Sequence, residues 1–245
     1  KIATLENGKV ERLLTIPIDN PHLWSVEDPY LYDLDIAILK DGVQTDAVSS
    51  YCGMRKIEVK KVGETPRIFL NGKQIFQMGP LDQGWWPDGL YTAPSDEALL
   101  FDIKAMKALE FNMIRKHIKI EPARWYMHCD REGILVWQDL PSPNLPSGYE
   151  DYAKKNFEDE SKRIITAFRN HPSIIQWVVF NEGWGQFDTE RMTQIVIGEV
   201  GQSLVCCASG WVDAPIGDIK DSHSYPNPSC PLDETRAGVC GEDGG

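Results

Sequence analysis

Two glutamates, Glu182 and Glu242, each follow a short apolar run of the chain. Glu182 comes after Asn181 and the run 174–180, and Glu242 comes after Gly241 and the run 238–240. Apolar runs of this kind are typical of strands buried in a parallel sheet. A carboxylate at the C-terminal end of a barrel strand stands where catalysis takes place, whereas a glutamate that simply meets solvent there is the alternative.

Two carboxylates at one barrel mouth would suit the cleavage of a glycosidic bond. One carboxylic acid protonates the leaving oxygen, and the other carboxylate attacks the anomeric carbon or activates a water molecule. The chain contains 37 acidic residues, so any two glutamates would be weak evidence. Their shared position after apolar runs is what singles out this pair.

Short apolar runs alternate with amphipathic segments from about residue 63 onward, which predicts a parallel sheet covered by helices. Polar residues at the strand ends favour an α/β fold with an incomplete (β/α)8 TIM barrel over an open doubly wound sheet. No glycine-rich phosphate loop of the open type follows the first strand. The predicted strands are 113–114, 134–137, 174–180, 204–207, 219–225 and 238–240, and the predicted helices are 96–109 capped by Ser95, one beginning at Pro122, 152–168, and one following Asp188. The Pro- and Ser-rich segment 141–148 is expected to form a loop over the mouth.

The first 62 residues alternate apolar and polar side chains rather than following a helical period. Residues 31–39 predict one strand, Asp41-Gly42 a hairpin turn, and residues 55–60 another strand. We therefore expect residues 1–62 to form part of an antiparallel β-sandwich. A second hairpin, 67–70 and 74–78 around Asn71-Gly72, opens the region 63–245 that is expected to form the barrel domain.

Composition excludes some partners. The formal net charge is −12, from 25 basic and 37 acidic residues, which disfavours nucleic acid. No apolar run is long enough to span a bilayer, so no membrane partner is expected, and the compartment stays open. The six cysteines show no C-x-x-C pair or zinc spacing, which favours free, buried thiols that act as small apolar residues.

The stretch 170–185, Asn-His-Pro-Ser-Ile-Ile-Gln-Trp-Val-Val-Phe-Asn-Glu-Gly-Trp-Gly, resembles the acid/base signature of glycoside hydrolase family 2, the β-galactosidase and β-glucuronidase family. Other stretches resemble the same family in the same order, so the resemblance covers essentially the whole chain. These are 24–32 and 51–55 for the end of its immunoglobulin-like domain, 69–72 for the entry into the barrel, 133–137 for the third strand, and 241–245 for the nucleophile segment.

The resemblance implies a retaining exo-β-glycosidase, most similar to β-galactosidases, with β-glucuronidase or β-mannosidase specificity as the alternative. Glu182 would be the acid/base at the end of the fourth strand, and Glu242 the nucleophile of the seventh. It implies that residues 1–62 are part of an immunoglobulin-like sandwich, and we expect the chain to be truncated at both ends, with the barrel stopping near its seventh strand.

Three departures from the family pattern bear on the identity of the sugar rather than on the reaction. Asp243 stands after the nucleophile where an aromatic residue is expected. Arg115-Lys-His117 is one residue shorter than the usual Arg-to-His spacing. Gln138-Asp139 replaces the more usual Asp-Glu.

Nine further residues are expected to bind the substrate, mainly on the resemblance. Asn181 would hydrogen-bond the sugar 2-hydroxyl, and Arg115 and His117 would hold hydroxyls or orient Glu242. Aromatic faces suit the apolar face of a pyranose. The alternatives are structural: an ion pair for the arginine, a core position for a histidine, and packing anchors for the tryptophans. The nine are Asn181, Arg115, His117, Asp139, Trp184, Trp211, His223, Tyr225 and Trp86, with Trp85 also beside the mouth loops.

The expected partner is a β-linked carbohydrate substrate, with no cofactor and no metal, and with a homo-oligomer open for the full-length parent. Two other classes of function stay open. One is a catalytically inactive or carbohydrate-binding fragment. The other is a metal-dependent barrel hydrolase using His117, Asp139, His223 and a glutamate, which predicts sensitivity to chelators. The sequence contains no His-x-His or His-Glu-x-x-His motif to favour the metal.

Overall fold

The structure is a computed structural model that describes Leu5, residues 14–142 and residues 151–244. These residues form twelve strands and four helices. The strands are β1 (Tyr32–Lys40), β2 (Val43–Cys52), β3 (Ile57–Val62), β4 (Thr65–Leu70), β5 (Lys73–Gln74), β6 (Leu81–Asp82), β7 (Met113–Lys116), β8 (Leu135–Asp139), β9 (Ile174–Asn181), β10 (Leu204–Ser209), β11 (Ile219–Ser224) and β12 (Ala237–Asp243). The helices are α1 (Asp96–Ala108), α2 (Ala123–Glu132), α3 (Asp151–Phe168) and α4 (Thr189–Glu199).

Strands β6 to β12 form a seven-stranded parallel sheet in which each strand pairs with the next strand along the chain. Helices α1 to α4 follow the first four strands in turn. This arrangement is a partial, curled TIM barrel and confirms the predicted fold class. Because neighbouring parallel strands end at the same edge, the residues after β9 and at the end of β12 share one mouth with those of the strands between them.

Both faces of the curled sheet are buried, as the apolar runs predict. One core lies between the sheet and the helices and includes Leu99, Trp125 and Met192. A second core lies on the inner face and begins with the first residues of several strands, such as Met113 and Ile219. The small sheet β3-β4-β5 packs into this inner core through Ile57, Ile68 and Leu70. That sheet closes the N-terminal end of the barrel and leaves the C-terminal end for a site.

The two N-terminal hairpins form where the turn signals predict them. Strands β1 and β2 pair antiparallel around Asp41-Gly42, whose φ angles are both positive. Strand β3 pairs with β4, so the predicted boundary at residue 62 falls within a hairpin turn and remains a prediction. The expected strand 74–78 is wrong beyond Gln74. Asn112 bonds the backbone of Phe76 and Met78, which turns this segment toward the barrel.

The predicted helices form in the structure, and one of them begins one residue later than predicted. Ser95 caps α1 by accepting from the Ala98 amide, and α4 begins directly after Asp188, as predicted. Pro122 is the residue before α2 rather than its first residue, because its ψ of 149° is extended. Of the expected mouth loop 141–148, residues 143–148 lie outside the described residues.

The cysteine prediction is correct for the free state of the thiols and for three of the six positions. Cys129, Cys206 and Cys207 are buried, whereas Cys230 is exposed in the loop between β11 and β12. The other two, Cys52 and Cys240, are half-buried. Across the described ranges, every helix is too short or too polar to cross a membrane.

Candidate active site

Three strand ends bring Glu182, His223 and Glu242 together at the mouth. The Nδ1 atom of His223 lies 2.7 Å from Oε1 of Glu182 and 3.5 Å from Oε2 of Glu242. One oxygen of each glutamate and a ring nitrogen of His223 all lie within 4.8 Å of one another. Carboxyl groups about 5 Å apart suit a retaining glycosidase, whereas inverting enzymes hold them roughly 6.5–9.5 Å apart.

Glu182 adopts a backbone conformation that is unusual for a residue with a side chain. Its φ is 54°, in the left-handed region, directly after β9 ends at Asn181. Its amide donates to the carbonyl of Ser209 at 2.8 Å, which ties this turn to the end of β10. Strained residues persist where the surrounding structure holds them, and they cluster at functional sites.

The carboxylate of Glu242 accepts hydrogen bonds from two neighbouring side chains and lies close to a third. Arg115 Nη1 donates to its Oε1 at 3.0 Å, and the hydroxyl of Tyr225 donates to its Oε2. His117 Nε2 lies 3.7 Å from Oε1, slightly beyond hydrogen-bond distance. Loss of solvent and the charge of Glu242 both raise the pKa of Tyr225, so its hydroxyl stays a donor at neutral pH. Charge-assisted bonds of this kind keep the carboxylate oriented.

Arg115 is a buried cation that joins four strand ends. It donates to both oxygens of Asp139, at 3.1 and 2.9 Å, and to Oδ1 of Asn181 at 2.8 Å, besides its bond to Glu242. Burial alone would lower the pKa of Arg115, but Asp139 and the neighbouring carboxylates raise it above its usual value. Because Oδ1 of Asn181 is occupied by Arg115, the amide nitrogen of Asn181 is the group left for a ligand.

His117 is oriented by a residue that the sequence did not single out. The side-chain amide of Gln83 lies 3.0 Å from Nδ1, and Nε2 is buried with no hydrogen-bond partner among the described residues. Burial lowers the pKa of His117, so the ring is neutral at physiological pH. An amide nitrogen that donates to Nδ1 places the ring hydrogen on Nε2, on the side that faces Glu242.

The aromatic residues divide into two groups. Trp184 and Trp211 are 48% and 61% exposed beside the glutamates: the Trp184 indole lies 3.3 Å from Glu182, and the Trp211 ring packs edge-on against His223. Trp86 instead packs against the core between sheet and helices, while the exposed Trp85 packs on Tyr91. The first group therefore lies beside the two glutamates, whereas Trp86 packs against the core between the sheet and the helices.

Sequence reasoning missed two polar residues of the barrel interior, Ser209 and Asp221. Both are buried, and together they connect His223 to the strand that carries Glu242. The signal for Asp221 was available, since it precedes His223 by two residues and therefore faces the same side of β11. For Ser209, the position at the end of β10 was the only signal.

The metal-dependent alternative loses one of its expected ligands. Asp139 is engaged by Arg115 and is not available as a ligand. Glu182, His223 and Glu242 form a set whose ligand atoms all lie within 4.8 Å of one another and that could hold an ion.

A curled parallel sheet with two carboxylates at its C-terminal mouth defines the class of TIM-barrel proteins with a glycosidase-like site. Residues 64–219 match the model of the TIM-barrel domain of glycosyl hydrolases family 2, and residues 1–55 match a second model of glycosyl hydrolases family 2. The chain belongs to glycoside hydrolase family 2.

Individual relatives agree with this assignment. The chain is 34% identical to a β-galactosidase of Oenococcus oeni over 74% of its length, and 31% identical to a β-glucuronidase of Bacteroides fragilis, also over 74%. A solved β-glycosidase of Bacteroides vulgatus covers 82% of the chain with a TM-score of 0.71 and 26% identity. The chain spans 18%, 26% and 26% of the lengths of these three proteins, in that order.

Proposed function

We propose that the protein is a retaining exo-β-glycosidase that hydrolyses O-glycosidic bonds by double displacement, with Glu182 as acid/base and Glu242 as nucleophile. The observation that carries the proposal is the pair of glutamate oxygens within 4.8 Å at one barrel mouth. Membership of glycoside hydrolase family 2 supports the same chemistry.

In the first step, the protonated Glu182 donates its proton to the glycosidic oxygen while Glu242 attacks the anomeric carbon. The bond between that carbon and the leaving oxygen breaks as the bond to Glu242 forms, which gives a glycosyl-enzyme. Arg115 and Tyr225 hold the Glu242 carboxylate by one hydrogen bond to each oxygen, so the attacking group needs little reorientation.

In the second step, Glu182 is a carboxylate and acts as a base toward water. Water attacks the anomeric carbon, its proton passes to Glu182, and Glu242 leaves as a carboxylate. The amide of Asn181 is the group that we assign to the sugar 2-hydroxyl, because Arg115 already occupies Oδ1 of Asn181. A bond at that hydroxyl strengthens as positive charge develops on the sugar ring.

We assign a β-galactoside as the substrate, with the exposed rings of Trp184 and Trp211 as its apolar contacts. The similarity to a β-galactosidase supports this choice, and the similarity to a β-glucuronidase makes a glucuronide the main competitor. A panel of 4-nitrophenyl β-galactoside, β-glucuronide and β-mannoside decides between them by the ratio of kcat/KM.

Substitution of each glutamate in the whole protein tests the proposal. We expect Glu242→Gly to lower kcat by about 10⁴-fold or more, and Glu182→Ala to lower kcat/KM about 10²–10⁴-fold on a glycoside with a poor leaving group but much less on a 2,4-dinitrophenyl glycoside. Azide should rescue Glu182→Ala by forming a β-glycosyl azide and Glu242→Gly by forming the α-anomer. Glu234→Gln, which changes an exposed carboxylate in the loop between β11 and β12, is the matched control and should keep normal activity.

Full activity of Glu242→Gly would overturn the assignment. A whole protein that turns over no aryl β-glycoside but binds a monosaccharide would instead indicate a carbohydrate-binding barrel.

A further inference from the structure

We propose that Asp221 and Ser209 are positioning residues that fix the tautomer of His223, so that Glu182 keeps the proton that it needs as a general acid. The inference rests on the proposed role of Glu182 and extends it to two residues that touch neither catalytic carboxylate. It follows from a chain of hydrogen bonds that crosses three neighbouring strands.

The chain of bonds begins at Asp221 on β11. Ser209 Oγ donates to Oδ2 of Asp221 at 2.5 Å, and the backbone amide of Gly241 donates to its Oδ1 at 2.6 Å. Ser209 Oγ also lies 2.8 Å from Nε2 of His223, whose Nδ1 lies 2.7 Å from Oε1 of Glu182. All of these side chains are buried or nearly so, with Asp221 4% exposed and Ser209 fully buried.

The order of donors along this chain determines where the ring hydrogen lies. A serine hydroxyl has one hydrogen. Because an ionised Asp221 takes that hydrogen, Ser209 can only accept from His223, and Nε2 must carry the ring hydrogen. Nδ1 then has a lone pair in the neutral ring, so the proton in the 2.7 Å contact comes from Glu182 or is shared with it.

Asp221 accepts hydrogen bonds from Ser209 and from the Gly241 amide and lies near Arg115, and these neighbours favour its ionised form. Burial raises the pKa of Asp221, but Arg115, Ser209, His223 and the Gly241 amide all oppose that rise. One contact argues against a hydrogen on Nε2 of His223. Arg115 Nη1 lies 3.4 Å from that nitrogen and would favour a bare Nε2 that accepts from it. Its bond to Glu242 is shorter, at 3.0 Å, and a bare Nε2 would face the lone pair of Ser209 at 2.8 Å.

Asp221 also restrains the strand that carries the nucleophile. A Cβ atom at Gly241 would lie 2.2 Å from Oδ2 of Asp221, so this approach requires glycine directly before Glu242. One buried carboxylate therefore positions Glu182 through two side chains and the backbone of Glu242 through one amide. The other titratable or charged groups that face the Glu182–His223 unit are Glu242, Tyr225, Arg115, His117 and Asp139.

The sharpest test is Asp221→Asn, because this change should reverse the chain of bonds. The Gly241 amide requires an acceptor, so the new amide would place its oxygen there and its NH₂ toward Ser209. Ser209 would then donate to Nε2, and the ring hydrogen would move to Nδ1, where it favours an ionised Glu182. We expect the alkaline limb of the kcat/KM profile to move to lower pH by about one unit or more.

Leaving-group dependence provides a readout that a purely structural role would not move. Asp221→Asn should lose about 10-fold or more of kcat/KM at pH 8 on a 4-methoxyphenyl glycoside and little on a 2,4-dinitrophenyl glycoside, which needs no acid. Ser209→Ala should shift the limb in the same direction by a smaller amount, because His223 is then free to adopt either tautomer.

Two controls separate this role from loss of packing. Asp218→Asn changes another half-buried carboxylate, which accepts from the Val205 amide, and Ser222→Ala removes a hydroxyl on the opposite face of β11. Both should leave the limb in place. If Asp221→Asn lowers kcat/KM equally at every pH and for both leaving groups, the inference is wrong. If Glu182→Ala itself shows no leaving-group dependence, the proposed function fails instead.

Discussion

The chemistry of the mouth depends on a few charged side chains that limit one another's freedom. Arg115 contacts Asp139, Asn181 and Glu242, so a single buried cation on β7 sets the orientation of groups from three other strands. Burying one arginine with two carboxylates is tolerable because each charge has hydrogen-bonded partners. Loss of one hydrogen bond among these side chains is expected to lower kcat/KM rather than the stability of the fold.

Tyr225→Phe is the test at the residue scale. The change removes the hydroxyl that donates to Oε2 of Glu242 and leaves the ring in place. A hydrogen bond to a charged group contributes about 1.5–3 kcal/mol, so we expect kcat/KM to fall roughly 10- to 150-fold. Tyr152→Phe, on the exposed face of α3, is the control and should match the unchanged protein. Equal activity of both variants would mean that Tyr225 does not hold the nucleophile.

The helices that cover the sheet are joined by ion pairs as well as by apolar contacts. Glu158 of α3 bonds Lys162 on its own helix and Arg191 of α4, at 2.8 and 2.7 Å. Hydrogen bonds from Arg191 and Lys162 lower the pKa of Glu158 to about 2. The pKa of a glutamate in an unfolded chain is about 4.3, so Glu158 binds a proton less readily in the folded state than in the unfolded state.

The sign of this shift predicts how the ion pair contributes to stability. The stabilisation by Glu158 is fully present above about pH 4.5 and is lost as the pH falls toward 2. We expect Glu158→Gln to lower the free energy of unfolding by roughly 1 kcal/mol at pH 7 and by almost nothing at pH 2. Urea unfolding at both pH values measures this, with Glu160→Gln, an exposed neighbour on α3, as the control. A deficit that persists at pH 2 would contradict the ion-pair explanation.

Polar contacts link three parts of the molecule at the end of the barrel opposite the mouth. Asp130 of α2 is fully buried and bonds the Tyr51 hydroxyl, His171 Nδ1 and the Ser173 amide, at 2.7, 2.6 and 3.0 Å. Trp24, also fully buried, donates to the Asp130 carbonyl at 2.7 Å. The N-terminal hairpin, helix α2 and the start of β9 therefore meet at one carboxylate.

Asp130→Ala should destabilise the whole protein rather than the site alone. The change removes three hydrogen bonds and leaves the buried Ser173 amide without this acceptor, so we expect a loss of about 3–5 kcal/mol. Tyr51→Phe removes only one of these bonds and should cost about 1 kcal/mol. Urea unfolding measures both, and limited proteolysis should cut Asp130→Ala faster near residues 51–55. Similar stabilities for the two variants would show that Asp130 is not the shared anchor.

The sequence by itself determined which carboxylates stand at strand ends, because apolar runs specify buried strands and the residue after such a run lies at the sheet edge. That argument located Glu182 after β9 and Glu242 near the end of β12, and it predicted α1 from its cap at Ser95. The same argument could not predict which side chains contact one another across neighbouring strands. Whether Trp86 faces the mouth or the helices depends on the path of its loop, which no local pattern specifies.

Only the tertiary structure decided which side chains control the catalytic pair. Ser209, Asp221 and Gly241 lie on three strands and converge on His223 and the two glutamates because parallel strands bring distant residues into register. Gln83 follows β6 and contacts His117, which follows the neighbouring strand β7, although the two residues are 34 positions apart in the chain. Periodicity reports the face on which a residue lies, whereas the direction of a hydrogen bond depends on the neighbour that the fold places beside it.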